Sequence, residues 1–100
     1  MIIYGIKNCD KVRSAIKAAK AANAGDVSLH DFRVQGIDDA LVKRMLQDID
    51  LTDLLNKRST TWKQLSDFQK IEPNVGLLVA NPTLIKRPVV FDGNKFRIGL

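Results

Sequence analysis

The first thirty-two residues constrain the fold more than any other part of the chain. Ile2, Ile3, Tyr4, Gly5 and Ile6 form the short, mostly apolar run of a buried strand. Val12, Ala15, Ile16, Ala19 and Ala22 then recur at helical spacing in an alanine-rich segment, so that one apolar stripe can face a core. Asn8 offers an N-cap, which puts Cys9 in the first turn, and Gly25 is a natural residue to end the helix. Val27 to Phe32 is apolar at alternate or near-alternate positions and reads as a second strand. Two strands separated by a helix pair in parallel, through a right-handed crossover.

The middle of the chain reads as helical. Gly36 punctuates it, and Asp38 can cap a helix with Leu41, Met45, Leu46 and Ile49 on one face. A shorter helix is expected over Thr52 to Lys57, and Thr61-Trp62-Lys63-Gln64 has the pattern of a capping box opening another. Val75 to Ala80 is a short apolar helical run with Gly76 inside it, ended by Asn81-Pro82. Val89 to Phe91 and Lys95 to Ile98 flank Asp92-Gly93-Asn94, a tight-turn signal, and read as a hairpin. The expected architecture is α/β (α+β): a mixed four-stranded sheet, its first two strands parallel and its last two antiparallel, with helices inserted between them.

One hundred residues suit a single domain with its own hydrophobic core. No apolar run approaches the length of a membrane span, and the N-terminus lacks a signal-type segment. With a single cysteine, any disulfide must be made with another molecule, which fits a reducing, cytoplasmic compartment. The net charge of +5 comes mostly from the second half, where eight Lys/Arg face three Asp and one Glu. These basic residues are scattered in ones and twos, without interleaved aromatics, which argues for an anionic small ligand over nucleic acid.

Two places carry chemistry. Cys9 lies at the mouth of a strand-to-helix turn between polar neighbours, Asn8, Asp10 and Lys11. Unpaired amides at a helix N-terminus and nearby cations favour a thiolate, the nucleophilic form; the alternative is a small buried hydrophobe. Arg13 follows one helical turn on and can face the same side, or stand in solvent. Arg87-Pro88 opens the third strand, where proline is tolerated and a cis peptide costs little, although most X-Pro bonds are trans. His30 has no second His or Cys to make a zinc site, Trp62 reads as a core anchor, and no glycine-rich phosphate loop is present.

Four blocks now carry a resemblance: Tyr4 to Asp10 (YGIKNCD), His30 to Gly36 (HDFRVQG), Leu54 to Trp62 (LLNKRSTTW) and Asn81 to Val89 (NPTLIKRPV). In this order and spacing they resemble the arsenate-reductase-like ArsC/Spx family, most closely its YffB branch. The resemblance implies a thioredoxin-like fold with an inserted helical subdomain at about residues 37–80. It makes Cys9 the nucleophile in a Cys-x-x-x-Arg arrangement with Arg13. Arg87 becomes the anion-binding arginine next to a cis Pro88, with Arg58 and Arg97 as further arginines of the site. Their planar forks suit oxyanions and carboxylates.

The departures narrow the expected chemistry. Glutaredoxin-coupled arsenate reductases have a histidine where this chain has Gly5, and their middle arginine directly follows a Leu-Leu pair, where this chain has Asn56. Val12 stands where redox-switched Spx regulators have a second cysteine. Family members usually continue past the last strand into another helix, whereas this sequence stops at Gly99-Leu100. The expectation is a glutathione-dependent thiol-disulfide reductase acting on a small-molecule or protein disulfide, with no bound cofactor or metal. Glutathione is its co-substrate, or a glutaredoxin-type protein its reductant, and the chain is expected to be monomeric. The alternatives are an arsenate reductase and a non-catalytic, Spx-like adaptor that binds RNA polymerase.

Overall fold

The computed structural model describes residues 1–22 and 25–99, and the chain forms two compact units. The first combines Met1–Gly36 with Arg87–Leu100; the second is Ile37–Lys86. No helix among the described residues is long and apolar enough to cross a membrane.

The first unit is a four-stranded mixed sheet with one long helix. Its strands are β1 (Ile2–Gly5), β2 (Ser28–Asp31), β3 (Val89–Phe91) and β4 (Phe96–Ile98), and α1 spans Asp10–Ala21. The spatial order is β2-β1-β3-β4, with β1 and β2 parallel and the other two pairings antiparallel. Each strand sends alternate residues to opposite faces. Ile3 is in register with Leu29 and Val90, and on this face Val12, Ala15 and Ala19 of α1 pack against Ile3 and Val90. Burying each of these larger aliphatic side chains stabilises the unit by about 1.5–3 kcal/mol. The opposite face is aromatic: Tyr4 lies with ring centroids 4.8 Å from His30 and 5.7 Å from Phe96, and Phe96 lies 4.7 Å from Phe91.

Gly5 lets α1 sit this low on the sheet. A Cβ on Gly5 would come within 2.5 Å of Val12 Cγ2, a stiff β-branched side chain that is itself fully buried. The helix stops earlier than the expected Gly25, at Ala21 with Ala22 as its C-cap. The last buried residue of the helix is Ala19. Gly25, at φ +76, belongs to the connection into β2. Residues 23 and 24, which the expected helix included, lie outside the described residues.

The second unit contains α2 (Asp39–Leu46), α3 (Leu51–Leu54), α4 (Thr60–Lys63), α5 (Asp67–Ile71), α6 (Val75–Ala80) and a 3₁₀ turn at Pro82–Leu84. Asp38 caps α2 by accepting the Leu41 N–H at 2.8 Å. The fully buried residues of α2 are Val42 and Met45, with Leu41 and Leu46 only partly covered, so the stripe is rotated from the expected one. α3 ends before Lys57 because Leu55 turns extended and pairs with Ile85. The Asn56 N–H donates to the Leu84 carbonyl at 2.6 Å, and the Lys86 N–H donates to the Leu54 carbonyl at 2.8 Å.

The expected capping box at Thr61 is not formed. Ser59 caps α4 by accepting the Trp62 N–H, and Thr61 is hydrogen-bonded through its hydroxyl to that of Thr83 at 2.6 Å. The reciprocal box appears instead at Ser66 and Gln69, opening α5. α6 forms over Val75–Ala80 as read, with the Asn74 side chain accepting the Leu77 N–H at 2.9 Å.

The close seating of α1 yields a first prediction. Gly5→Ala lowers the free energy of unfolding by about 1–3 kcal/mol, and combining it with Val12→Ala costs less than the two single losses together. Urea denaturation of the four proteins checks this. Strict additivity would show that the Gly5–Val12 contact is not the cause.

Candidate functional site

Cys9 stands one position earlier than the sequence suggested: it is itself the N-cap of α1, with φ −88° and ψ 126°. Its N–H donates to the Ile6 carbonyl at 3.0 Å and closes a turn after β1, and its carbonyl accepts the Arg13 N–H at 3.0 Å as the first helical bond. Asn8 is thereby left in the turn. The thiol is partly exposed and rests against the cluster of Ile3, Val12, Ala15, Ala19 and Val90. Cys9 makes no side-chain cap bond, so the first amides of α1 keep their capacity for an anion at this end.

The other candidate residues fall into three groups. Arg13 and Arg97 are each engaged with an aspartate. Arg13 pairs with Asp10 on the exposed first turn of α1, and Arg97 Nη1 bonds Asp92 Oδ2 at 2.9 Å. The register of Arg97 with Val90, and of Val90 with Ile3, puts Arg97 on the same sheet face as α1. Arg87 is half-buried and joined to the buried Pro88 by a cis peptide bond, and the Pro88 carbonyl accepts the Gly99 N–H at 2.9 Å. Arg58 belongs to the helical unit, where it is exposed and its N–H donates to Asn56 Oδ1 at 3.2 Å.

A groove of about 430 Å³ opens along the first two turns of α1, lined by Asp10, Lys11, Ser14, Ala15, Pro88 and Gly99. Its surface is mostly apolar, with polar groups on the helix side, directly after Cys9 in the chain.

One residue of this region escaped the reading of the sequence. Asp31, the last residue of β2, is only 6% exposed and is the buried charged residue among those described. Its carboxylate accepts the Lys7 N–H at 3.1 Å and the Arg33 N–H at 2.8 Å. Its position was the available signal. Ligand and reaction sites in parallel sheets lie beyond the carboxyl ends of the strands, and Asp31 ends β2 beside Gly5, where β1 ends.

With this geometry in view, comparison with known proteins is decisive. The ArsC family model matches residues 4–100. The chain belongs to the ArsC family. A Haemophilus influenzae protein described as uncharacterized is 40% identical over 97% of this chain and 88% of its own length. Among solved structures, the YffB protein superposes with a TM-score of 0.89 at 29% identity, covering 99% of this chain and 90% of its own. An arsenate reductase (ArsC) related protein from Brucella melitensis superposes at 0.79 with 30% identity, over 99% of this chain and 85% of its own. The family membership and these neighbours agree with the α/β, thioredoxin-like reading of the sheet and its helices.

The Arg97 anchor is open to a pH measurement. Backbone N–H groups of Lys95 and Asn94, then the Arg97 guanidinium, hold the Asp92 carboxyl below the usual aspartate range. A carboxyl depressed in the folded state contributes stability above its unfolded pKa and loses it as the pH falls through the folded value. The stability difference between the native chain and Asp92→Asn therefore exists at neutral pH and closes as the pH drops below about 4. Urea midpoints across that range measure it.

Proposed function

We propose that this protein is a glutathione-dependent thiol-disulfide reductase with Cys9 as its nucleophile. The observation that carries the reading is the position of the thiol. Cys9 is partly exposed at the N-cap of a twelve-residue helix, at the carboxyl end of a parallel strand pair, with the Pro88 groove alongside that helix. Membership of the ArsC family, with neighbours described as arsenate reductase related, supports thiol-based reduction.

In this mechanism the Cys9 thiolate attacks the glutathione sulfur of a mixed disulfide, R–S–S–G. The Cys9–S–S–G bond forms as the S–S bond of the mixed disulfide breaks, and R–S⁻ leaves and takes a proton from solvent. A second glutathione thiolate then attacks the glutathione sulfur bound to Cys9, releasing glutathione disulfide and regenerating the Cys9 thiolate. One disulfide is reduced and one is formed, and both electrons come from glutathione. The amides of the first α1 turn stabilise the attacking and departing thiolate. Arg87, with Arg13 and Arg97 once their aspartates yield, pairs with glutathione's carboxylates. The peptide-like body of glutathione lies in the groove bounded by Lys11, Ser14 and Pro88.

Arsenate suits this site less well. An imidazole at position 5, where glutaredoxin-coupled arsenate reductases carry histidine, would collide with Val12. Turnover of a glutathionylated cysteine peptide, with glutathione as reductant, tests the proposal. Cys9→Ser reduces the rate to that of glutathione alone, and Arg87→Ala raises KM about tenfold, the loss of one charge-assisted bond. A native rate no faster than glutathione alone, or full activity in Cys9→Ser, would sink the reading.

A further inference from the structure

We infer that Asp31 is a positioning residue for Cys9: its buried carboxylate ties down the loop that carries the thiol. The inference rests on Cys9 being the reacting group, as proposed above. Lys7 lies inside the Ile6-to-Cys9 turn, and its N–H donates to Asp31 Oδ2 at 3.1 Å. The same turn is closed by the bond from Cys9 N–H to the Ile6 carbonyl at 3.0 Å. Holding Lys7 therefore holds the one short segment between the end of β1 and the thiol.

Asp31 is itself held on every side. The Phe32 N–H donates to the Gly5 carbonyl at 2.9 Å and extends the parallel ladder past the end of β2. The Asp31 N–H donates to Gln35 Oε1 at 2.7 Å, its carbonyl accepts the N–H groups of Val34 and Gln35, and its other carboxylate oxygen accepts the Arg33 N–H at 2.8 Å. The following loop is thus folded back around this one side chain.

A carboxylate has a particular use here. Its two oxygens accept from two different segments, and a buried anion hydrogen-bonded to backbone amides tolerates little displacement of either. Sulfur attack needs near-linear approach along the disulfide, so drift of the loop by a fraction of an ångström lowers the rate without changing what the groove binds.

Asp31→Asn is the direct test. The amide keeps one acceptor and turns an NH₂ group toward a backbone N–H, so one of the two bonds is lost. In the folded variant, hydrogen exchange of the Lys7 amide is expected to rise about tenfold, while the amides of Ile3 and Val90 exchange as in the native chain. Saturated turnover of the glutathionylated peptide is expected to fall about tenfold with KM changed less than about twofold. Gln35→Ala is the second variant: Gln35 is exposed, and its loss releases the Asp31 N–H while sparing the carboxylate. It is expected to move the same two readouts in the same direction by a smaller factor. Native Lys7 exchange in folded Asp31→Asn, or native turnover despite faster exchange, overturns the inference. If the native chain shows no reductase turnover, the proposed function falls, while Lys7 exchange and the backbone chemical shifts of Asn8 and Cys9 still decide whether Asp31 orders the loop.

Discussion

The approach of α1 to β1 at Gly5 and Val12 governs the first unit. A helix can rest this low on a strand only where the strand offers no side chain, and a Cβ on Gly5 would lie 2.5 Å from Val12 Cγ2. With Ile3 and Val90 beneath the same helix, the contact sets the depth of α1 and so the place where its first turn begins. That beginning is Cys9. Two of the positions at which this chain departs from the family patterns it resembles, Gly5 in place of histidine and Val12 in place of a second cysteine, are the two sides of one contact. They are not independent: glycine at 5 makes room that valine at 12 fills.

Much of this was legible in the residues because local and tertiary preferences agree there. The βαβ order follows from two apolar runs around an alanine-rich stripe, and Asp92-Gly93-Asn94 between apolar runs specifies the hairpin. The errors occur where a tertiary partner outbids a local one. Thr61 has the spacing of an N-cap, yet its hydroxyl finds Thr83 and the cap passes to Ser59. Leu55 and Asn56 have helical neighbours, yet the backbone at Leu84 and Ile85 draws them out into a bridge. Cys9 takes the N-cap place expected of Asn8 because the Cys9 N–H is taken by Ile6, which leaves Cys9 extended. Asp31 was missed for a different reason: its place at a strand end is the one signal the sequence offers, and its burial appears only in the structure.

The chain leaves the sheet unit at Gly36 and returns at Arg87, so β3 reaches its place beside β1 only after the helical unit has been made. The re-entry is also where the candidate site is completed. Pro88 is buried, accepts the Gly99 N–H through its carbonyl, and forms one wall of the groove whose other wall is the first two turns of α1. The thiol comes from the start of the sequence and the opposing wall from near its end. The thirty residues around Cys9 therefore describe the thiol and say little about what faces it.

The solitary thiol has a structural side. A second cysteine three residues after Cys9 would fall at position 12, which is fully buried at the tightest point of the helix–sheet contact. A thiol there would leave part of the volume of the valine side chain unfilled above Gly5, and the packing that seats the first turn of α1 would loosen with it. An internal resolving thiol at this position would thus compete with the contact that seats Cys9 at the start of α1. On the proposed function, the chain meets the conflict by keeping valine at 12 and taking the second thiol from solution. In the proposed reaction both attacks fall on the same glutathione sulfur, so the groove along α1 would hold that one glutathione through both steps. On the proposed mechanism the glutathione half of the substrate passes to Cys9 and leaves only as glutathione disulfide, once a second glutathione has attacked its sulfur, and neither step calls for a second thiol of the chain.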